Sequence, residues 1–308
     1  MMNLPAYALV TPARNEVQFI GLTLQSVVAQ TIRPVKWVIV SDGSTDGTDD
    51  LVRWYAARNP WIELVRMPER RERHFAGKVH AFNAGYAAVG GLPFEVIASL
   101  DADVSFGPDY FEFLLHQLTG NPELGLVGTP FLDGALQSYD YRFVSIEHVS
   151  GACQVFRREC FEQIGGYVPV KGGGIDHIAV ITARMKGWKT RTFVERHCLH
   201  HRAIGTAERS PLMARFRTGA QDYALGSHPL WHLSRTAYQM TKKPYILGGL
   251  ALGMGYFQAM LRRSKRAVSA ELMKFRRREQ IQRLNNFFKG SGARSATQAA
   301  SHAGPIAR

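Results

Sequence analysis

Cysteine is scarce in this chain: only Cys153, Cys160 and Cys198 occur among 308 residues. Three cysteines form no even set and show no metal-ligand spacing, which argues against a disulfide framework or a thiolate metal site and for a reducing compartment. Long apolar runs are also missing. The longest uncharged stretch, PYILGGLALGMGYFQAML at residues 244–261, has 18 residues and four glycines. A spanning helix needs about 20 apolar residues, so a full span is disfavoured. The N-terminal MMNLPAYALVTPARNE lacks the basic start and apolar core expected of a signal peptide. Acid is scarce in one segment rather than throughout. Residues 228–308 hold 15 Lys and Arg against two acids, whereas residues 1–227 hold 23 of each sign. The net charge of +13 therefore belongs to the C-terminal quarter. Such asymmetry predicts an anionic surface as that segment's partner.

What is present alternates regularly. Ala8–Val10 and Trp37–Val40 are short apolar runs of the kind found in strands covered on both faces. Val17, Ile20, Leu24, Val27 and Val28 fall at helical spacing between them. SDGSTDGTDD then supplies turn and capping residues for a helix near 51–57, with Asp46 as a turn or cap residue. Ile62–Val65 predicts a further strand, and Val79, Phe82, Tyr86 and Val89 a further helix. EVIASLDADVSF, residues 95–106, reads as a buried strand ending in Asp101 and Asp103. Two residues apart on one strand face, these carboxylates would lie roughly 7 Å apart, repelling unless a cation or water intervenes. The grammar is that of an α/β protein with a mostly parallel sheet flanked by helices. In such sheets ligands bind beyond the carboxyl ends of the strands. Thr11–Glu16, Asp42 and the Asp101–Asp103 pair all gather at those ends. Later, GACQVFRREC suggests a strand, Phe161–Tyr167 a short helix ended by Gly165–Gly166, and Ile178, Ile181 and Met185 a helix behind Asp176.

TPARNE, WVIVSDGSTDGT, KVHAFNAGY, SLDADVSF and the R-x-x-F-x-x-I-G-G-Y segment (Arg158–Tyr167) occur in that order over residues 6–205. Together they resemble a family-2 glycosyltransferase. The resemblance implies a GT-A fold and inverting transfer of a sugar from a nucleotide-diphosphate donor, UDP-linked for preference, to a glycan or lipid-linked acceptor. It makes Asp101-Ala102-Asp103 a DxD motif, with Asp103 the direct ligand of Mn²⁺ or Mg²⁺ and Asp101 on the ribose or a metal-bound water. Hard oxygen ligands suit such a cation, which neutralises charge on a diphosphate. By the same resemblance Thr11, Ala13, Glu16 and Asp42 hold the donor's base and ribose, Lys78 faces its diphosphate, and Asn83 supports the site. Arg70, Arg71, Arg73 and His74 extend that basic loop. Transfer needs a general base for the acceptor hydroxyl. The family's acidic pair reads Ile175-Asp176 here, which makes Asp176 the base, or else a helix cap. His201, in LHHRAIG, is a further metal ligand or a surface histidine. The Q-x-x-R-W motif of processive synthases is reduced to Gln221, so single transfer is favoured over a processive synthase subunit, while Ile175 in place of the pair's first acid leaves a catalytically silent sugar-nucleotide-binding protein as the alternative of another class.

These readings divide the chain into a nucleotide-sugar-binding half (1–104), an acceptor-binding half (105–227), a basic extension (228–289) and a disordered tail (290–308). Lys242–Lys243 and Arg262–Arg263 bracket the apolar stretch. That arrangement predicts interfacial or re-entrant attachment to anionic lipid at the cytoplasmic membrane face, or a helix packed on the catalytic body. No nucleic-acid-binding motif accompanies the charge.

Overall fold

Apolar runs of the first hundred residues become parallel strands. The structure, a computed structural model, describes residues 4–69, 76–133, 136–137, 145–170, 172–202 and 210–288. Arg70, Arg71, Arg73 and His74, and the segment 290–308, lie outside the described residues. The chain divides into two units: Met1–Asp140, Val144–Lys171 and Ile175–Arg202 form one, and Tyr141–Phe143, Gly172–Gly174 and Ala203–Arg308 the other.

The first unit runs β1 (Tyr7–Ala13), α1 (Ile20–Val28), β2 (Lys36–Asp42), α2 (Thr48–Ala56), β3 (Ile62–Met67), α3 (Ala76–Val89) and β4 (Val96–Leu100). It continues through β5 (Val104–Ser105), α4 (Tyr110–Gly120), β6 (Leu124–Gly128), β7 (Phe131–Asp133) and β8 (Leu136–Gln137). β9 (Cys153–Arg157), α5 (Arg158–Gln163), α6 (Ile175–Met185), β10 (Lys189–Thr192) and β11 (Cys198–His200) complete it. Seven strands form the main sheet in the order β10-β6-β9-β4-β1-β2-β3. The β1–β2, β2–β3, β1–β4 and β6–β10 pairs are parallel, and β9 alone runs antiparallel to both neighbours. Alternation along each strand splits the core in two. Leu9, Trp37 and Ile39 pack with Ile20 and Leu24 of α1, Val52 of α2 and Leu114 of α4. Ala8, Val10, Val38 and Val40 pack with Val79 and Phe82 of α3, Phe161 of α5 and Val180 of α6. Helices therefore cover both faces, as the mixed α/β expectation requires. A smaller sheet, ordered β5-β11-β7-β8, lies beside the Asp101–Asp103 turn in sequence. GACQVFRREC divides: the strand ends at Arg157 and the helix α5 begins at once, so the strand expected across that segment is shorter. The three cysteines are buried, and burial pushes the Cys160 and Cys198 thiols up to about 12, leaving them protonated at neutral pH.

The second unit is helical: α7 (Pro211–Ala224), α8 (Pro229–Gln239), α9 (Tyr245–Leu261) and α10 (Ala270–Phe288). α7 belongs with this unit, so the division falls at Arg202 rather than at the expected residue 227. The cause is a very close helix crossing. A Cβ on Gly219 of α7 would lie 1.9 Å from the Leu252 carbonyl oxygen, and one on Gly255 of α9 would lie 1.9 Å from that of Phe216. The glycines of the uncharged stretch thus serve helix packing. Asp222 is buried against Arg235 (2.5 Å), His232 (3.2 Å) and Arg276 (3.8 Å). Burial raises its pKa, but Arg235, the hydrogen bond to His232 and Arg276 outweigh burial and hold it down at about 2. The outward side of α9 leaves Ile246, Leu247, Leu250, Met254 and Leu261 exposed. No helix among the described residues is long and apolar enough to cross a membrane.

Candidate active site

Strand polarity assembles the site. β1, β2 and β4 are parallel, so their carboxyl ends share one edge. β9 is antiparallel, so its start meets the end of β4: Leu100 pairs with Cys153, and the Asp101 amide donates to the Ala152 carbonyl at 2.9 Å. The loop before β9 is thereby fixed beside the aspartates. β11 pairs with β5, His200 opposite Val104, and the His201 amide donates to the Asp103 carbonyl at 2.9 Å.

Asp101 and Asp103 lie in the turn after β4, not within the strand. The turn closes the spacing expected of a strand, and one ligand atom each from Asp101, Asp103 and His200 fall within 4.8 Å of one another. Asp103 is 8% exposed. Its Oδ1 lies 3.6 Å from His200 Nε2, and its Oδ2 lies 3.3 Å from Arg202 Nε. Arg202 also pairs with Glu16, binding the first loop to the turn. Lys78, in the first turn of α3, donates to Asp101 and, at 3.3 Å, to the Gly151 carbonyl. Burial lowers the Lys78 pKa, but Asp101, and further off Asp176 and Asp103, outweigh it and hold the ammonium above its ordinary value. Burial and the adjacent Asp103 charge raise the Asp101 carboxyl from its ordinary value, against the pull of Lys78.

These residues suit a divalent cation. His200 Nδ1 lies 2.5 Å from the Arg202 carbonyl oxygen, which can only accept, so Nδ1 carries the proton. In the neutral ring Nε2 then turns a lone pair toward a carboxylate oxygen. Two acceptors facing each other call for a positive charge between them, and a histidine whose other N–H is held by a carbonyl is the usual metal-ligating arrangement. His201, the expected ligand, is instead directed to Ser105 Oγ, 2.7 Å from its Nε2. Adjacent residues of an extended strand point to opposite faces, so only one of the pair can turn to the carboxylates. Sequence reading gave no ground for choosing His200, and it passed over Arg202, a cation next to that histidine pair.

Asp176 lies in the first turn of α6, inside the helix rather than at its cap. A Cβ on Gly151 would lie 3.2 Å from Asp176 Oδ2, so the carboxyl stands directly over the carbonyl-bearing residue that Lys78 contacts. Behind it, fully buried Gln154 donates to the Val149 carbonyl (3.1 Å) and the Asp176 carbonyl (3.5 Å) and accepts from Tyr167 (2.8 Å). That chain steadies the start of α6. Gly151 and Gln154 carried no signal in the sequence.

The donor-side expectations separate. Asp42 is buried at the end of β2, 3.8 Å from Arg14. Glu16 is fastened by its amide to Thr48 Oγ1 at 2.8 Å. Ala13 is buried in the core at the rim. Thr11 is fully buried, and its hydroxyl accepts from the Trp37 indole at 2.9 Å, so its side chain faces the core rather than the rim. Asn83 is exposed, five residues and so about 140° around α3 from Lys78, away from the face that meets Asp101. Asp46 accepts from the amides of Val17 (3.1 Å) and Thr48 (3.0 Å), the turn role its sequence suggests. Gln221 donates to the Gly172 carbonyl at 2.9 Å.

Residues 8–135 match the family model described as Glycosyl transferase family 2. The 4,4'-diaponeurosporenoate glycosyltransferase of Staphylococcus aureus (strain USA300) is 35% identical over 126 residues, 41% of this chain and 31% of that protein. The chain thus spans about a third of the length of the curated relatives it matches. A solved mannosyltransferase, PcManGT from Pyrobaculum calidifontis in complex with GDP-Man and Mn²⁺, superposes with a TM-score of 0.57 at 21% identity, over 97% of this chain and 85% of that one. S. aureus TarS 1-349 in complex with UDP gives 0.52 at 13% identity, over 71% and 65%. Residues 8–135 are thus similar to a family-2 glycosyltransferase domain, and the fold is of the GT-A type.

Proposed function

We propose that the chain is an inverting glycosyltransferase that moves a sugar from a nucleoside-diphosphate donor to an acceptor hydroxyl. The observation that supports it most is the meeting of Asp103, Asp101, His200, Lys78 and Asp176 around the Gly151 loop. Asp103, Asp101 and His200 hold Mn²⁺ or Mg²⁺. When bound, such a cation neutralises negative charge on a diphosphate leaving group. Lys78 holds Asp101 in place and presents an ammonium to phosphate oxygens. Asp42 and the Ala13–Glu16 loop bound the nucleotide side, and Arg202 ties Glu16 to Asp103. Asp176 accepts the proton of the attacking hydroxyl, and its rigid seat over Gly151 sets the direction of attack.

The acceptor is a glycan or lipid-linked hydroxyl, and the enzyme works at the cytoplasmic membrane face. The exposed apolar residues of α9 between Lys242–Lys243 and Arg262–Arg263 favour that attachment. Nucleotide release from a panel of UDP-, GDP- and dTDP-sugars, with and without Mn²⁺, tests the reading. The expected result is metal-stimulated release from one donor class, abolished in Asp103→Asn, with sugar transfer abolished in Asp176→Asn. Transfer that survives both substitutions would refute it.

A further inference from the structure

The helical unit contains a cleft of about 530 Å³ between the start of α8 and one side of α10. His228, Met273, Lys274, Arg277, Arg278 and Ile281 line it, and no carboxylate does. Residues 274, 277, 278 and 281 recur at the spacing of a single helix face. The opposite face is locked inward: Arg276 donates to the Leu225 carbonyl (2.6 Å), and Gln280 donates to Ser227 Oγ (2.9 Å). Arg277 Nε is pinned on the Gly226 carbonyl at 3.1 Å. Lys274 and Arg278 have no ion-pair partner among the described residues. His228 Nδ1 accepts from the Leu230 amide (3.2 Å), so the proton of the neutral ring sits on Nε2 as a donor. Burial and Arg277 hold that ring's pKa down, keeping it neutral near pH 7.

The cleft thus combines three cations and an N–H donor with an apolar floor from Met273 and Ile281. A phosphate group joined to hydrocarbon matches both parts. The same unit leaves Leu230, two residues from His228, and Leu247 about 60% exposed, together with Met254. A water-soluble phosphate gives no reason for that exposed apolar surface. We propose that this cleft binds the phosphodiester headgroup of an anionic phospholipid, with its first acyl carbons on Met273 and Ile281. It rests on the membrane attachment proposed above and gives that attachment lipid selectivity.

Flotation of the full chain with vesicles of phosphatidylcholine, alone or doped with phosphatidylglycerol, tests this. Wild type should prefer the doped vesicles, and K274Q/R277Q/R278Q should bind them roughly a hundredfold more weakly. Ile281→Trp and Gln282→Trp fill the cleft without altering charge, and each should weaken binding about tenfold or more. Circular dichroism confirms their folding, with Gln282 exposed should Ile281→Trp disturb the core. If both tryptophan variants bind like wild type, the cleft assignment is overturned while membrane attachment stands. If wild type binds neither vesicle, both fall. Saturable binding of soluble glycerol phosphate equal to that of vesicles would overturn the lipid assignment. Nucleotide release, measured in parallel, reports separately on the transferase reading.

Discussion

A methyl group at residue 151 would enter the space held by Asp176. The Cβ of Gly151→Ala would lie 3.1 Å from Asp176 Cβ and 3.2 Å from its Cγ and Oδ2. Ordinary carbon contacts begin near 3.5 Å, so the carboxyl must retreat by a few tenths of an ångström. Gly151 is not among the glycines at positive φ, so alanine fits the main chain. A displacement of about 1 Å at a reacting group costs roughly a hundredfold in rate. The smaller retreat should lower kcat about three- to tenfold, or about 1 kcal/mol. Donor KM should stay constant, because the role proposed for Asp176 is on the acceptor. Stability should hold, since Gly→Ala at a compatible position favours folding by about 0.4–1 kcal/mol. Steady-state kinetics with a saturating donor, beside a thermal melt, decides the matter. An unchanged kcat in a folded variant would show that the Asp176 carboxyl is not the proton acceptor.

Other outcomes follow from the same geometry. His200→Gln should weaken activation by Mn²⁺ about tenfold or more, whereas His201→Gln should leave the Mn²⁺ titration unchanged. Thr11→Val leaves the buried Trp37 N–H without its acceptor and should cost about 1–3 kcal/mol in urea unfolding with donor KM unaltered. Asp222, held down at about 2 against an ordinary 3.8, contributes about 2 kcal/mol at neutral pH. Because its folded-state pKa is depressed, that contribution is complete above about pH 4 and fades as pH falls toward 2. Asp222→Asn should therefore lower the urea midpoint near pH 7 and flatten the acid-side dependence. Gly219→Ala places a methyl against a backbone carbonyl that cannot rotate away, so α7 and α9 must part, costing about 1–3 kcal/mol or more by the helical circular dichroism melt.

Period and composition alone determined the strand and helix alternation, because parallel strands buried on two faces must be apolar throughout and their flanking helices apolar on one stripe. They also determined that Asp42, Asp101 and Asp103 gather at one edge, since parallel strands end on the same side. The charge split and the glycine-interrupted apolar stretch were likewise in the sequence. Tertiary structure decided the rest, through contacts between distant residues. The antiparallel entry of β9 brought Gly151 and Asp101 together, and strand alternation turned His200 rather than His201 toward the carboxylates. Thr11 could not be assigned from the sequence, because only the packing of Trp37 shows that its hydroxyl is already engaged. Gly255 of α9 reads in the sequence as one more break in an apolar stretch, whereas the structure sets it against the Phe216 carbonyl of α7, about 40 residues away in the chain. Local chemistry fixes which residue types stand at the rim; long-range pairing fixes which atoms meet there.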